Sequence, residues 1–183
     1  MTAKIFKIIL PALLFSLFLF SCNEEEVTEP TAENLLLSTS FEENGVASAE
    51  GWKLPQGSQF STDVPPNGGS FSLKLIANSP PEYAYITVPV KTQYKLNRLK
   101  FWSKSTGVSS DIYGEASLTL LRNGAELKSR SIQIDAITWT TFSIQDTFDV
   151  AEGDSFKVQL SGGITQLFSA DAYFDLVQLQ GIK

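Results

Sequence analysis

The sequence of 183 residues contains no histidine and only one cysteine. Without histidine the chain lacks the commonest general base, and Ser-His and Cys-His nucleophile systems are excluded. Zinc sites built from histidine and cysteine are excluded as well, and a lone cysteine forms no internal disulfide. A glycosidase would need only two carboxylates, but most Asp and Glu lie in turn-like segments. We therefore predict no catalytic residues and a protein that is not an enzyme.

Long apolar runs are also scarce. The longest uncharged run near the start, Ile8 to Phe20, follows Lys4 and Lys7 in the pattern of a secretory signal. As a helix it would span about 20 Å, which is short of the roughly 30 Å hydrocarbon core of a bilayer. Residues 1–21 are therefore predicted to be a signal peptide.

The single cysteine ends this segment. The run Leu19-Phe20-Ser21-Cys22 resembles the lipobox of bacterial lipoproteins, although Phe20 departs from the small residue usual there. The resemblance implies that Cys22 carries a lipid anchor; the alternative is a plain signal peptide with a spare thiol. The acidic run Asn23 to Glu26 resembles the export signal of outer-membrane lipoproteins that face the cell surface, or is a solvated tether. The expected location is the outer membrane, facing outward.

Cationic side chains are few in the rest of the chain. Without Lys4 and Lys7, 12 basic and 20 acidic residues remain, for a formal charge of −8. This balance argues against nucleic acid and against an anionic bilayer surface as partners. Residues 22–34 are therefore predicted to be the lipidated N-terminus and a polar, acidic linker, and residues 35–183 suffice for one domain.

Within residues 35–183, short runs rich in β-branched, aromatic and leucine residues alternate with Gly, Pro, Asn and Asp. Asn123-Gly124 between two such runs is a hairpin signal, because both residues tolerate the positive φ of a type I′ turn. The pattern predicts an all-β fold, an antiparallel β-sandwich. The ten predicted strands are Leu35–Phe41, Ser58–Ser61, Phe71–Ala77, Tyr83–Val88, Leu96–Lys104, Glu115–Arg122, Ala125–Ile134, Trp139–Gln145, Phe156–Ser161 and Ala172–Gln180.

Five segments together carry a family resemblance. They are LLLSTSFEENG…GW from Leu35, NGGSFSLKL from Asn67, LKFWSKS from Leu99, WTTFSI from Trp139 and AYFDLVQL from Ala172. In this order they resemble the jelly-roll carbohydrate-binding domains of the galactose-binding-like superfamily. The resemblance implies a jelly roll over the whole of residues 35–183, with Trp52 and Trp139 as packing residues beside turns.

The resemblance also implies a structural calcium site. Glu42 and Asp175 match positions where family members bind Ca²⁺, with main-chain oxygens near the turn at Asn67 and Gly69. Hard oxygen ligands from distant segments suit this ion. Alternatively, the two carboxylates merely cap strand ends.

Strand parity predicts a binding face. Side chains alternate between the two faces of a strand. If Ile86, Phe101, Leu118 and Val158 point inward, one in each of four strands, the neighbouring residues of opposite parity are exposed. In the family these four strands resemble one sheet, whose open concave face is the ligand cleft. The predicted ligand-binding residues are Trp102, Tyr85, Tyr83, Lys100, Thr119, Lys157 and Gln159.

Two functions fit this face. Aromatic plates and polar side chains suit a sugar, whose aliphatic face stacks on a ring while its hydroxyls find hydrogen-bond partners. The protein would then be a non-catalytic surface lipoprotein that binds glycan. Alternatively, the same sheet docks an accessory subunit onto an outer-membrane transport or assembly complex. Trp102 would stand open in the first case, unless a loop covers it.

Overall fold

A computed structural model describes residues 35–77, 82–107, 114–164 and 169–183, and these form antiparallel strands. No described helix is long and apolar enough to span a membrane. The predicted Cys22 anchor and residues 1–34 lie outside the described residues. The strands are β1 (Leu35–Thr39), β2 (Glu42–Glu43), β3 (Val46–Ala47), β4 (Gln59–Ser61), β5 (Ser72–Leu75), β6 (Ala84–Pro89), β7 (Leu96–Ser105), β8 (Gly114–Arg122), β9 (Ala125–Ile134), β10 (Thr140–Asp146), β11 (Ser155–Ser161), β12 (Gly163–Ile164), β13 (Ser169–Ala170) and β14 (Ala172–Ile182).

The larger sheet has six strands in the order β10-β7-β14-β5-β4, with β1 also paired to β14. Strand β14 lies at its centre. One edge of β14 pairs with β7, while the other edge pairs first with β5 and then with β1. An irregularity in its pairing with β7 falls between Asp175 and Gln178, where Leu176 has a φ of 47°.

The smaller sheet has four strands in the order β6-β11-β8-β9. The predicted turn at Asn123-Gly124 joins β8 to β9, and its φ values of 54° and 78° are those that a type I′ turn requires. Two short antiparallel pairs, β2 with β3 and β12 with β13, complete the described strands.

The apolar core lies between the two sheets. Phe101 and Phe174 from the larger sheet are fully buried, as are Leu118 and Phe156 from the smaller one. The inward parity predicted from the sequence is therefore confirmed for strands β6, β7, β8 and β11. Trp52 is also buried, with its ring 5.5 Å from that of Phe41, so its packing role is confirmed.

Ion pairs close one edge of the sandwich. Asp146 at the end of β10 receives Lys128 Nζ at 2.8 Å and Arg130 Nε at 2.5 Å, both from β9 of the other sheet. The hydrogen bond from Lys128, followed by the charges of the two cations, lowers the pKa of the Asp146 carboxyl. This carboxylate thus links the two sheets while it is ionised.

All ten predicted strands are present, but the predicted grouping of four of them is wrong. Strand β7 does not join β6, β8 and β11; it pairs with β10 and β14 in the six-stranded sheet. The reason is that parity along a strand assigns its inward face and carries no information about its neighbours.

Candidate functional site: a groove beside Tyr85

A groove of about 340 Å³ lies on the outer face of the four-stranded sheet, beside β6. Segment 53–56 forms one wall, and side chains of β6 and β11 form the floor and the other wall. It is lined by Lys53, Leu54, Pro55, Gln56, Glu82, Tyr83, Tyr85, Lys157 and Gln159. The structure therefore brings together four of the seven predicted ligand residues: Tyr83, Tyr85, Lys157 and Gln159.

Backbone pairing on both edges of β6 positions Tyr85. On one edge the Lys53 N–H donates to the Tyr85 carbonyl at 2.8 Å, and the Tyr85 N–H donates to the Lys53 carbonyl at 2.9 Å. On the other edge Tyr85 lies opposite Gln159 of β11. Because directly paired residues share a face, Lys53, Tyr85 and Gln159 form one row across the outer surface.

Two ammonium groups flank the Tyr85 ring. Lys157 Nζ lies 4.8 Å from the ring centroid and Lys53 Nζ lies 5.4 Å from it, both within cation–π range. Tyr85 is half-buried, whereas Tyr83 is exposed. The groove thus offers aromatic surface, amide groups and cationic hydrogen-bond donors within one concavity.

The prediction that the Thr119 side chain is available to a ligand is wrong. It lies on the correct outer face, opposite Lys157, but only 2% of it is exposed. Its Oγ1 shares a hydrogen bond of 2.8 Å with Ser129 Oγ of the neighbouring β9. Neighbouring strands on both sides cover a short side chain in the middle of a sheet, so Thr119 supports the sheet.

The prediction that Trp102 and Lys100 share one binding face with Tyr85 is wrong. Both lie on β7, so they project from the outer face of the six-stranded sheet, on the opposite side of the sandwich from the groove. Trp102 is half-buried beside Thr141 of β10 and Asp175 of β14, and Lys100 is exposed. These two residues cannot contact a ligand held in the groove.

A second aromatic group lies on the Trp102 side. The Trp139 Nε1–H donates to Asp63 Oδ1 at 2.9 Å, and Lys104 forms an ion pair with the same carboxylate. Lys104 Nζ also lies 5.0 Å from the centroid of Tyr173, which packs edge-on against Trp139. The polar groups of Trp139, Lys104 and Asp63 thus bind one another and fasten the turn before β10 to the sheet.

The predicted calcium ligands converge on this same outer face. The Ser70 N–H donates to Glu42 Oε2 at 2.6 Å, which holds the Glu42 carboxylate against the turn at residues 67–70. A Cβ atom added to Gly68 would lie 2.5 Å from Asp175 Oδ2, and one added to Gly69 would collide with the Glu42 carboxylate. Two carboxylates 133 positions apart in the chain therefore meet at one glycine turn.

Asp175 is the unusual member of this group. It is completely buried, its Oδ1 accepts the Leu176 N–H at 2.7 Å, and its Oδ2 has no hydrogen-bond partner among the residues that the structure describes. Burial raises the pKa of Asp175 to about 7; the Leu176 N–H opposes this rise and the charge of Glu42 adds to it. A buried carboxylate oxygen without a donor is costly unless a cation binds it.

Backbone strain surrounds both carboxylates. Phe41, directly before Glu42, has a φ of 53°, and Leu176, directly after Asp175, has a φ of 47°. Bulky residues rarely adopt this left-handed conformation, and such strain is typical of functional sites. Among the described residues, no three Asp, Glu, His or Cys side chains cluster, so a cation here would also need carbonyl or water oxygens.

The sequence predictions omitted the wall at residues 53–56. This segment forms only an isolated bridge to Tyr85, without the alternation that marks a strand. Its nearest sequence signal is the preceding Trp52, which anchors it to the core. Lys53 is the member of this wall that contributes a charge to the groove.

Comparison with solved structures identifies the fold. The CBM22-1 xylan-binding domain of Paenibacillus barcinonensis Xyn10C superimposes with a TM-score of 0.56 at 19% identity, covering 82% of this chain and 96% of that one. A family 16 carbohydrate-binding module gives a TM-score of 0.50 at 21% identity, covering 71% and 90%. The chain therefore has the jelly-roll β-sandwich fold of carbohydrate-binding modules, as its sequence predicted.

The same fold also occurs within larger proteins. The enzymatically active domain of bacteriophage CBA120 tailspike protein 4 matches with a TM-score of 0.57 at 16% identity, over 73% of this chain and 20% of that one. No protein-family model matches the chain, and no curated protein matches it. The structural neighbours are mostly carbohydrate-binding modules.

Proposed function

We propose that the domain is a non-catalytic carbohydrate-binding module whose ligand occupies the groove beside Tyr85. The observation that carries this proposal is the convergence of Tyr83, Tyr85, Lys157 and Gln159 on one concavity. Aromatic rings bind the aliphatic faces of sugars, and a few convergent polar groups orient the hydroxyls. The jelly-roll fold, which the solved carbohydrate-binding modules share, also supports the proposal.

Affinity electrophoresis through gels containing different polysaccharides tests this function. Tyr85→Ala is expected to abolish retardation by a gel that retards the wild type. Trp102→Ala is the matched control, because it removes a half-buried aromatic ring from the opposite outer face and is expected to leave retardation unchanged.

The reverse result, with Trp102→Ala inactive and Tyr85→Ala normal, would place the ligand on the six-stranded sheet and overturn the proposed site. If no polysaccharide retards the wild type, while a stoichiometric outer-membrane protein co-purifies with it and is lost with Tyr85→Ala, the alternative docking role would be supported instead.

We also propose that the Glu42–Asp175 group binds a structural Ca²⁺. The unpartnered Asp175 Oδ2, the nearby Glu42 charge and the glycine turn fit a hard cation completed by carbonyl and water oxygens. The ion would balance the two carboxylates and hold the first and last strands together. It would have no direct part in binding glycan, because the groove is on the other outer face.

The proposed location is the outer membrane, with a lipid on Cys22 and the domain facing outward. The support is the sequence pattern of residues 1–26, and two or more acyl chains suffice for stable anchoring. Mass spectrometry of the mature N-terminal peptide is the test. A diacylglycerol-modified Cys22 is expected, and an unmodified thiol would refute the anchor.

A further inference from the structure

We infer that the groove beside Tyr85 selects acidic polysaccharides, in which sugar carboxylates or sulfates lie between Lys53 and Lys157. This inference rests on the proposed function and names its substrate class. The two lysines reach Tyr85 from opposite edges of β6: Lys53 from the segment bridged to it and Lys157 from β11. A ligand lying across Tyr85 would therefore meet both ammonium groups.

The two lysines of the groove are among the cations outside the ion pairs of the described residues, and what sets them apart from the others, such as Lys91 and Lys100, is their position on either side of the Tyr85 ring. Five cationic side chains form ion pairs with aspartates, namely Lys74, Lys104, Arg122, Lys128 and Arg130. In the part of the chain that the structure describes, no ion pair includes Lys53 or Lys157. Their charges are thus available to an external anion.

The local charge balance points the same way. The groove is lined by two lysines and one carboxylate, Glu82, whereas the whole chain has a formal charge of −6. A small positive region within an acidic protein favours anionic ligands over the surrounding surface. It also disfavours cationic ligands at the groove.

The contacts with Tyr85 explain how the lysines would act. The ring attracts both ammonium groups at 4.8 and 5.4 Å, and this restrains two long side chains that would otherwise lose rotamer freedom on binding. Hydrogen bonds between an ammonium group and an anionic oxygen are stronger than those between neutral groups. A neutral sugar hydroxyl can accept a hydrogen bond from the same ammonium groups but carries no charge, so it would gain less than an anionic oxygen does.

Matched pairs of acidic and neutral polymers test the inference with the full-length chain. The probes are polygalacturonate with its methyl ester, and dextran sulfate with dextran, each titrated against the protein by calorimetry. In at least one pair we expect the acidic member to bind about tenfold more tightly, a difference of about 1.4 kcal/mol. Binding is also expected to weaken as the salt concentration rises.

Lysine variants separate this inference from the general function. Lys53→Gln and Lys157→Gln are each expected to weaken binding of the acidic polymer about threefold to tenfold, since each removes one charged donor. Lys100→Gln is the matched control, because it removes an exposed lysine from the opposite outer face and is expected to change affinity less than about twofold.

Several results would overturn the inference. Equal affinity for the acidic and neutral members of both pairs, with Tyr85→Ala still disrupting binding, would remove the acidic preference and leave the glycan function intact. Failure of every polysaccharide to bind would remove both. Binding of polyglutamate as tightly as the acidic polysaccharides would indicate an acidic protein partner in place of glycan.

Discussion

The calcium proposal makes its sharpest prediction for Asp175→Asn, a substitution that should stabilise the domain without calcium and lose most or all of that advantage when calcium is bound. In calcium-free buffer at pH 8 the wild type must hold a charged, buried Asp175 whose Oδ2 lacks a donor. A carboxyl whose folded pKa is raised destabilises the fold above its unfolded pKa, and the cost becomes complete above the folded pKa. With a folded pKa of about 7 against 3.8, that cost is about 4 kcal/mol.

Asn at this position removes the charge but keeps a buried polar group. An unsatisfied amide costs about 1–3 kcal/mol, so the variant without calcium should be more stable than the wild type by about 1–3 kcal/mol. With calcium at 100 times its dissociation constant, the wild type gains about 2.7 kcal/mol and the variant gains little. Because about 2–4 °C of melting temperature accompanies each kcal/mol in a domain of this size, calcium should raise the wild-type midpoint by about 5–10 °C.

Thermal unfolding followed by circular dichroism, with EDTA or with added CaCl₂, measures both effects. Asp135→Asn is the matched control: it removes one negative charge from an exposed site outside the carboxylate group and should respond to calcium as the wild type does. A wild-type midpoint that EDTA leaves unchanged would refute the metal site. An equal calcium response in Asp175→Asn would show that the ion binds elsewhere.

Three further predictions concern the turn, the sheet edge and the core. Gly69→Ala should destabilise the domain more than Gly124→Ala in urea unfolding. Both sites have positive φ, but only a Cβ at position 69 meets a carboxylate, that of Glu42. Equal losses of unfolding free energy would contradict the close approach of Gly69 to this carboxylate. The urea midpoint should fall as the pH drops below about 3.8, because the Asp146 carboxyl has a lowered pKa and stabilises the fold only while it is ionised. This fall should be smaller in Asp146→Asn, and an identical pH profile in the two proteins would refute the link between the sheets. Leu118→Ala should cost about 2–5 kcal/mol and the exposed Leu127→Ala less than about 0.5, and similar losses would contradict the assignment of the core.

Local patterns in the sequence were sufficient to predict the strands. Alternation and turn residues identify all ten of the longer strands, and Asn123-Gly124 identifies the hairpin between β8 and β9. The four two-residue strands β2, β3, β12 and β13 were missed, since two residues are too few to show alternation. The convergence of Glu42 and Asp175 was reached through family resemblance, because nothing local connects residues so far apart.

Local sequence patterns predicted only part of the groove. Tyr83 and Tyr85 lie at β6, and Lys157 and Gln159 lie on its neighbour β11, so correct parity in two adjacent strands was enough to assemble them. Lys53 was missed because it belongs to an irregular segment whose bridge to Tyr85 depends on the packing of Trp52 in the core. Such a contact is determined by tertiary structure alone.

Trp102 was assigned to the wrong face for a related reason. Both sheets of a sandwich direct one parity of each strand into the same core, so an outward side chain is outward in either sheet. The sheet to which β7 belongs depends on its hydrogen-bond partners, β10 and β14, which lie tens of residues further along the chain. When the parity is correct but the partner strand is wrong, the side chain is predicted on the opposite outer face of the sandwich. The comparison of Tyr85→Ala with Trp102→Ala therefore tests the sheet assignment and the ligand site in one experiment.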